Sequence, residues 1–144
     1  MAGKTVLYIG AYTQSPEQGV VVYEFDEQDG ALTYRSTASG AANPSFLALH
    51  PTGKYLYAVN EVTSFESVRS GAITAYAVDP ETGDLTYLNQ RPSWGTAPCH
   101  VSVDGTGKMI YLANYSSGSI AAYPIEENGM LAPASAKVQH TGSG

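Results

Sequence analysis

The sequence has a single cysteine, few charged residues and a marked shortage of basic ones. Of its 144 residues 14% are charged, with 7 basic against 13 acidic side chains and a formal net charge of −6. Cys99 alone cannot form an internal disulfide, which fits a reducing compartment. The scarcity of Lys and Arg excludes nucleic acid as a partner, because phosphate contacts require clustered basic side chains.

Long apolar runs are also missing. The N-terminal segment MAGKTVLYIGAYTQ has only a short apolar stretch between Lys4 and Thr13, too short for a secretory signal or a membrane span. We therefore expect a cytoplasmic protein without a membrane partner. A hydrophobic fraction of 43% is that of a globular chain.

One sequence pattern occurs three times. KYLYAVNE at 54–61 returns as KMIYLANY at 108–115 and, in shortened form, as TVLYIGAY at 5–12. Each copy is followed by a segment with a tyrosine near its end: GVVVYEF, GAITAYAV and GSIAAYPI. Tyr57 and Tyr111 are 54 positions apart. Internal repetition at roughly 40 to 50 residues is typical of propellers and solenoids.

The repeated segments predict strands and no helix. They are short, rich in β-branched and aromatic residues, and bounded by Gly, Pro, Asn or Asp. One unit has predicted strands at 45–50, 55–60, 72–78 and 85–90, and the next has them at 100–104, 109–114, 119–125 and 134–139. Four antiparallel strands joined by tight turns form one propeller blade, so the predicted fold class is an all-β propeller.

The opening unit has one strand fewer. Nothing before Thr5 corresponds to SFLALH or HVSVD, so the blade at 5–40 lacks its innermost strand, whereas the blades at 43–92 and 97–140 are complete. A closed ring takes about four to eight blades. We expect the remaining blades to come from a longer chain or from other copies of this one.

Antiparallel pairing decides which residues share one end of the blades. The start of each innermost strand lies beside the end of the following strand. This rule groups Asn60 and Glu61 with residues 43–45, and Asn114 and Tyr115 with residues 98–100. Tyr12, Thr13 and the loop at 62–70 are expected at the same end.

This end carries the candidate catalytic residues, Glu61 and His100. A carboxylate or an imidazole can take a proton from water, and amide or guanidinium groups can stabilise an oxyanion, which suits hydrolysis of an ester-like ring. The candidate substrate-binding residues are Asn60, Arg69, Asn114 and Tyr115. Three alternatives stay open: His100 as a core residue, Glu61 as a solvated carboxylate, and the two asparagines as loop-stabilising Asx turns.

Neither a metal nor a cofactor is expected. His50, His100 and His140 are dispersed over the predicted blades, so no ligand set converges. Cys99 adjoins His100, but adjacent strand residues point to opposite faces. A small buried side chain is therefore favoured over a catalytic thiol at position 99.

Several segments together resemble the seven-bladed lactonase family, which includes propeller-type 6-phosphogluconolactonase and the fungal 3-carboxy-cis,cis-muconate lactonizing enzymes. They are YIGAYT, NPSFLALHPTGKYLYAVNE, GAITAYAVDPETGDL, APCHVSVDGTGKMIYLANYSSGSIAAYPI and QHTGSG. The resemblance implies a metal-independent enzyme of the pentose phosphate pathway that hydrolyses 6-phosphogluconolactone at the central channel. It also implies that a Pro-His-x-His segment and residues of later blades, beyond HTGSG, supply much of the site.

The transferable part of that site is limited to Glu61 and His100, with Asn114 and Tyr115 beside them and Arg69 in a variable loop. We therefore expect residues 1–144 alone to be inactive. Two alternatives remain for the function: a muconate-type lactonizing cycloisomerase, and a non-catalytic propeller fragment or scaffold that binds partners through its faces.

Overall fold

A computed structural model of the protein describes residues 4–143. Within this range the chain forms eleven strands and one short 3-10 turn at Pro16–Gln18, which the sequence analysis did not predict. The strands are β1 (Lys4–Ile9), β2 (Val20–Asp26), β3 (Leu32–Ala38), β4 (Leu47–Leu49), β5 (Tyr55–Asn60), β6 (Ala72–Val78), β7 (Leu85–Pro92), β8 (Pro98–Val103), β9 (Met109–Asn114), β10 (Ser119–Pro124) and β11 (Ala136–Gln139).

The strands form three separate antiparallel sheets. Their orders are β1-β2-β3, β4-β5-β6-β7 and β8-β9-β10-β11, each following the chain without a crossover. We call these sheets blade 1, blade 2 and blade 3. The all-β propeller prediction is confirmed, including the absence of an innermost strand from blade 1 within residues 4–143.

The starts of the innermost strands differ from the prediction. β4 has only three residues, Leu47–Leu49, instead of 45–50, whereas β8 begins at Pro98, two residues before the predicted start. Asn43 has a φ of 45°, and its carbonyl accepts the amide of Ser45 at 2.7 Å. This tight turn keeps the start of β4 out of the ladder. In β8 the register shifts between Pro98 and His100, leaving Cys99 in a bulge.

Two rows of tyrosines join neighbouring blades. Tyr8 of blade 1 donates to the Gly83 carbonyl of blade 2 at 2.7 Å, and Tyr57 of blade 2 donates to the Gly129 carbonyl of blade 3 at 2.9 Å. These bonds reach forward to the last turn of the next blade. Gly83 has a φ of 75°, so this turn requires a residue that tolerates the left-handed region.

The second row reaches backward. Tyr76 donates to the Ser39 carbonyl at 2.9 Å, and Tyr123 donates to the Pro92 carbonyl at 2.5 Å. Both acceptors lie where the chain passes from one blade to the next. Burial raises the pKa of both phenols, so they remain hydrogen-bond donors at neutral pH.

The core consists of two apolar layers between blades. Val20, Leu56 and Tyr76 represent the layer between blades 1 and 2, and Val59, Ile110 and Tyr123 represent the layer between blades 2 and 3. All six are at most 1% exposed. Each layer needs two adjacent blades, so the blades stabilise one another.

A polar contact joins the outer strands of blades 1 and 2. Arg35 pairs with Glu24 at 2.9 Å and with Asp84 at 3.2 Å, and Ser36 donates to Asp84 at 2.6 Å. The Ser36 hydroxyl is the main cause of the lowered pKa of Asp84, with smaller contributions from Thr82 and Arg35. Among residues 4–143, no helix combines the length and apolar character needed to cross a membrane.

Candidate functional site

The residues that antiparallel pairing places at one end of the blades lie together in the structure. The Glu61 amide donates to the Asn43 carbonyl at 3.0 Å, and the Tyr115 amide donates to the Ala97 carbonyl at 2.8 Å. Each bond closes the end of one blade in the same way. We call this end the mouth; it comprises Tyr12, Thr13, Asn43, Pro44, Ser45, Phe46, Asn60, Glu61, Ala97, Pro98, Cys99, His100, Asn114 and Tyr115.

Asn43 links blade 1 to blade 2 at the mouth. Its side-chain oxygen accepts the Thr13 amide at 2.8 Å, and its own amide donates to the Thr13 hydroxyl at 2.9 Å. Its side-chain amide also donates to the Glu61 carbonyl at 3.2 Å. Asn43 therefore holds the backbone of Thr13 in blade 1 and the backbone of Glu61 in blade 2.

The Glu61 carboxylate is half-buried and accepts a side-chain hydroxyl. The Ser45 hydroxyl donates to its Oε2 atom at 2.5 Å, and the Tyr12 phenol of blade 1 interacts with the same side chain. The interaction with Glu61 is the main cause of the raised pKa of Tyr12. The hypothesis of a merely solvated carboxylate at position 61 is thus less favoured than that of an oriented one.

His100 lies on the surface of the mouth. Its ring packs against Phe46 of blade 2, with ring centroids 4.6 Å apart and the planes tilted by 45°. The His100 side chain is exposed and Phe46 is 40% exposed. The imidazole also lines the apolar depression on the face of blade 3 away from blade 2, so its exposure among the described residues leaves the core-histidine alternative open.

Asn60 and Asn114 reach the same end but are buried inside it. Asn60 donates to the Ala42 carbonyl at 2.9 Å and accepts the Thr74 hydroxyl at 2.7 Å. Asn114 donates to the Ser93 carbonyl at 3.0 Å and to the Ser119 hydroxyl at 3.1 Å. Both asparagines hold the segment that leads into their own blade, through long-range bonds rather than through the local Asx turns of the alternative interpretation.

Arg69 and Tyr115 are the exposed members of the predicted substrate-binding set. Tyr115 is 79% exposed at the end of β9. Arg69 lies in the loop between β5 and β6, where it lines an open surface pocket with Thr96 and Ser116 of blade 3. Neither residue contacts Glu61 or His100 in the described part of the chain.

Cys99 lies in the bulge of β8, next to His100. The Cys99 thiol is half-buried and lies 3.8 Å from the Ala113 carbonyl, in the geometry of a weak donor. Tyr12 is close enough to Cys99 for an electrostatic interaction. Residues 4–143 contain no group of three or more His, Cys, Asp and Glu side chains arranged to hold a metal ion.

Two functional contacts were missed by the sequence analysis: the Ser45 hydroxyl on Glu61, and the Phe46 ring on His100. Alignment of the repeats contains the signal, because Ser45 and Phe46 of blade 2 occupy the positions of Cys99 and His100 of blade 3. In the same alignment Glu61 takes the place of Tyr12 and Tyr115. Blade 2 is therefore the only one of the three described blades with a carboxylate at this position.

The fold and the mouth define a class of protein: a β-propeller with Glu61 and His100 at one end of its blades. Residues 6–144 match the family described as Lactonase, 7-bladed beta-propeller. The chain therefore belongs to the seven-bladed β-propeller lactonase family.

Individual relatives support the same family assignment. The chain is 33% identical to a 6-phosphogluconolactonase of Bacillus subtilis (strain 168), over 98% of this chain and 39% of that protein. It is 32% identical to a 6-phosphogluconolactonase of Formosa agariphila, over 96% of this chain and 38% of the relative. The chain thus spans about two fifths of the length of these relatives.

Two solved structures share the fold closely. A Bacteroides fragilis protein, 36% identical, has a TM-score of 0.88 over 99% of this chain and 38% of its own. The periplasmic gluconolactonase PpgL of Pseudomonas aeruginosa, 32% identical, has a TM-score of 0.84 over 95% of this chain and 39% of its own. Both similarities extend over all three blades.

Proposed function

We propose that the chain supplies part of the active site of a lactonase that hydrolyses a sugar-derived lactone, with 6-phosphogluconolactone as substrate and 6-phosphogluconate as product. The observation that carries this proposal is the oriented Glu61 carboxylate at the mouth of a lactonase-family propeller. The names of the Bacillus and Formosa relatives support the substrate.

In the proposed reaction a water molecule attacks the lactone carbonyl. Glu61 or His100 takes a proton from that water as general base, the carbonyl oxygen becomes an oxyanion, and the ring C–O bond then breaks. The ring oxygen leaves as a hydroxyl after it gains a proton. The products are a carboxylic acid and an alcohol in one open chain, so one water is consumed for each lactone.

The other predicted residues have supporting roles in this proposal. Arg69 and Tyr115 are exposed and are proposed to contact the substrate at the edge of the mouth. Asn60 and Asn114 are 2% and 3% exposed, so their contribution passes through the loops that they hold. A phosphorylated substrate also needs cationic groups, and the net charge of −6 suggests that blades outside these residues supply them.

We also propose that this activity requires a completed ring. Three blades of a seven-bladed family provide only part of a central channel. The other blades would come from a longer chain or from further copies, and residues 1–144 alone are proposed to be inactive. A cytoplasmic location stays a prediction, since one relative is named as periplasmic.

The test is turnover of 6-phosphogluconolactone by the completed ring, formed by a longer chain or by several copies and here called the full-length protein, and by its variants. Glu61→Gln and His100→Asn are each expected to lower kcat by about 100-fold or more, the size typical of a lost general acid or base. Glu81→Gln, which changes an exposed side chain in the turn between β6 and β7 at the opposite end of blade 2, serves as the control. Wild-type turnover of carboxymuconate but not of the sugar lactone would instead favour the cycloisomerase alternative.

A further inference from the structure

The Ser45 hydroxyl has a partner that the propeller fold does not require. In blade 3 the positions of Ser45 and Glu61 are occupied by Cys99 and Tyr115. The backbone bond that closes the blade is nevertheless the same, at 3.0 Å in blade 2 and 2.8 Å in blade 3. The strand ends are therefore held together without a serine–carboxylate pair, and the bond from Ser45 serves the carboxylate.

The Glu61 side chain also interacts with a tyrosine of a different blade. Tyr12 belongs to the segment after β1, is 72% exposed, and interacts with Glu61 across the boundary between blades 1 and 2. Its backbone neighbour Thr13 is fixed by Asn43 through two hydrogen bonds. The phenol is thus presented to the carboxylate by a segment that is itself held in place.

The bond from Ser45 leaves the carboxylate free to act. An ionised carboxylate has about four acceptor positions, so one bond from Ser45 leaves others for a water molecule or a substrate hydroxyl. A long, flexible side chain normally samples several rotamers, and a group that must receive a proton has to be held within hydrogen-bond reach of it. The hydrogen bond from Ser45 and the interaction with Tyr12 restrict that sampling.

We propose that Ser45, together with Tyr12, is a positioning residue that holds the Glu61 carboxylate in one orientation at the mouth. This inference rests on the proposed function, in which Glu61 acts on the lactone. Ser45 itself is not proposed to touch the substrate.

The kinetic test compares variants of the full-length protein with 6-phosphogluconolactone as substrate. Ser45→Ala is expected to lower kcat by about tenfold with KM within about twofold, since misorientation affects the proton transfer more than the binding. Ser45→Thr keeps the hydroxyl and is expected to restore most of kcat. Ser36→Ala removes a serine–carboxylate bond of the same kind, to Asp84 away from the mouth, and is expected to leave kcat unchanged.

A spectroscopic readout tests the same inference without turnover. The Tyr12 signal in a protein with carbon-13-labelled tyrosine rings is assigned by its loss in Tyr12→Phe, and its titration is followed by NMR. Glu61 raises the pKa of Tyr12, and Cys99 adds a smaller effect in the same direction. Both Glu61→Gln and Ser45→Ala are expected to lower this pKa, whereas Ser36→Ala leaves it unchanged.

The outcomes separate the inference from the function on which it rests. If Glu61→Gln abolishes turnover and Ser45→Ala has the kcat of the wild type, the positioning role is wrong and the lactonase proposal stands. If the wild type does not hydrolyse the lactone, the proposed function fails, and the NMR titration alone decides whether Ser45 holds Glu61. An unchanged or raised Tyr12 pKa in Ser45→Ala would overturn the inference.

Discussion

Asn60 and Asn114 occupy the same position in consecutive blades, yet only one of them has all its polar atoms satisfied. The Asn60 oxygen accepts the Thr74 hydroxyl, which in turn accepts a bond from Gln90 at 2.8 Å. In blade 3 the counterpart of Thr74 is Ala121, and the Asn114 oxygen is buried without a partner among the described residues. A single threonine-to-alanine difference between repeats therefore accounts for the unsatisfied oxygen.

This comparison predicts the cost of losing the Thr74 hydroxyl. Thr74→Val keeps the shape of the side chain but leaves Asn60 and Gln90 without one partner each, so we expect a loss of about 1–3 kcal/mol in the free energy of unfolding. Denaturant titration measures the change. Thr86→Val, at an exposed position of the neighbouring strand, is the control and should stay close to the wild type; equal stabilities of the two variants would contradict the prediction.

Asp104 makes the stability of the fold depend on pH. The Thr106 hydroxyl, followed by the Met109 and Lys108 amides, lowers the pKa of Asp104 from 3.8 to about 2. A lowered pKa means that the ionised form stabilises the fold above about pH 4, and that this stabilisation is lost as the pH falls towards 2. Asp104→Asn should therefore unfold at a lower temperature than the wild type at pH 7.

The same measurement near pH 2 checks the sign of this prediction. There Asp104 is about half protonated in the folded protein and almost fully protonated in the unfolded one, so most of the stabilisation is lost and the difference between the two melting temperatures should become small. A difference that persists unchanged from pH 7 to pH 2 would show that the effect of Asp104→Asn is unrelated to ionisation.

At the scale of elements, the middle strands were predictable and the strand starts at the mouth were not. β5, β6 and β9 have the predicted bounds, because their apolar and tyrosine residues repeat between blades. The starts of β4 and β8 depend on Asn43 and Ala97, which have φ values of 45° and 55°. A left-handed alanine costs about 1 kcal/mol or more and has no sequence signal, since neighbouring segments hold it in place.

The candidate site was predictable to a similar extent. Antiparallel pairing placed Glu61 and His100 at the shared end of the blades, with Ser45 beside Glu61. The hydrogen bond between Ser45 and Glu61 was not predictable, because it depends on the rotamers of both side chains. The contact depends on Glu61, a residue 16 positions away in the chain.

Corresponding tyrosines of blades 2 and 3 are expected to contribute differently to stability. Tyr57 is fully buried and bonds to blade 3, whereas its counterpart Tyr111 is 45% exposed and its hydroxyl has no partner among residues 4–143. Tyr57→Phe leaves the Gly129 carbonyl unpaired and should cost about 1–3 kcal/mol of unfolding free energy. Tyr111→Phe in the same 144-residue chain should change it by less than about 0.5 kcal/mol. Similar losses of unfolding free energy in the two variants would contradict the role of the Tyr57 hydroxyl in joining blades 2 and 3.

At the scale of the whole molecule, blade 3 presents an apolar face on the side away from blade 2. Tyr111, Ile120 and Val138 are 45%, 42% and 47% exposed and lie around an apolar depression that also includes Leu112 and Ala136. In the two layers already formed, the corresponding surfaces are covered by the following blade. An uncovered face of this kind is prone to association.

We therefore predict that the polypeptide of residues 1–144 self-associates as its concentration rises. Light scattering should detect the larger species, and Ile120→Lys should reduce them because a charge on the apolar face opposes its burial. Val68→Lys, which changes an exposed valine in the loop between β5 and β6, is the control. A monomer at all concentrations for the unsubstituted chain would refute the prediction.

The forward and backward tyrosines have a consequence for how such rings can change in size. Blade 2 has one phenol that joins it to its successor and another that joins it to the stretch of chain before it. A unit copied by tandem duplication would arrive with both tyrosines already in register. Gain or loss of a single whole unit thus needs no new joining residue. Gain or loss of part of a unit would instead leave one of the two tyrosines without its acceptor.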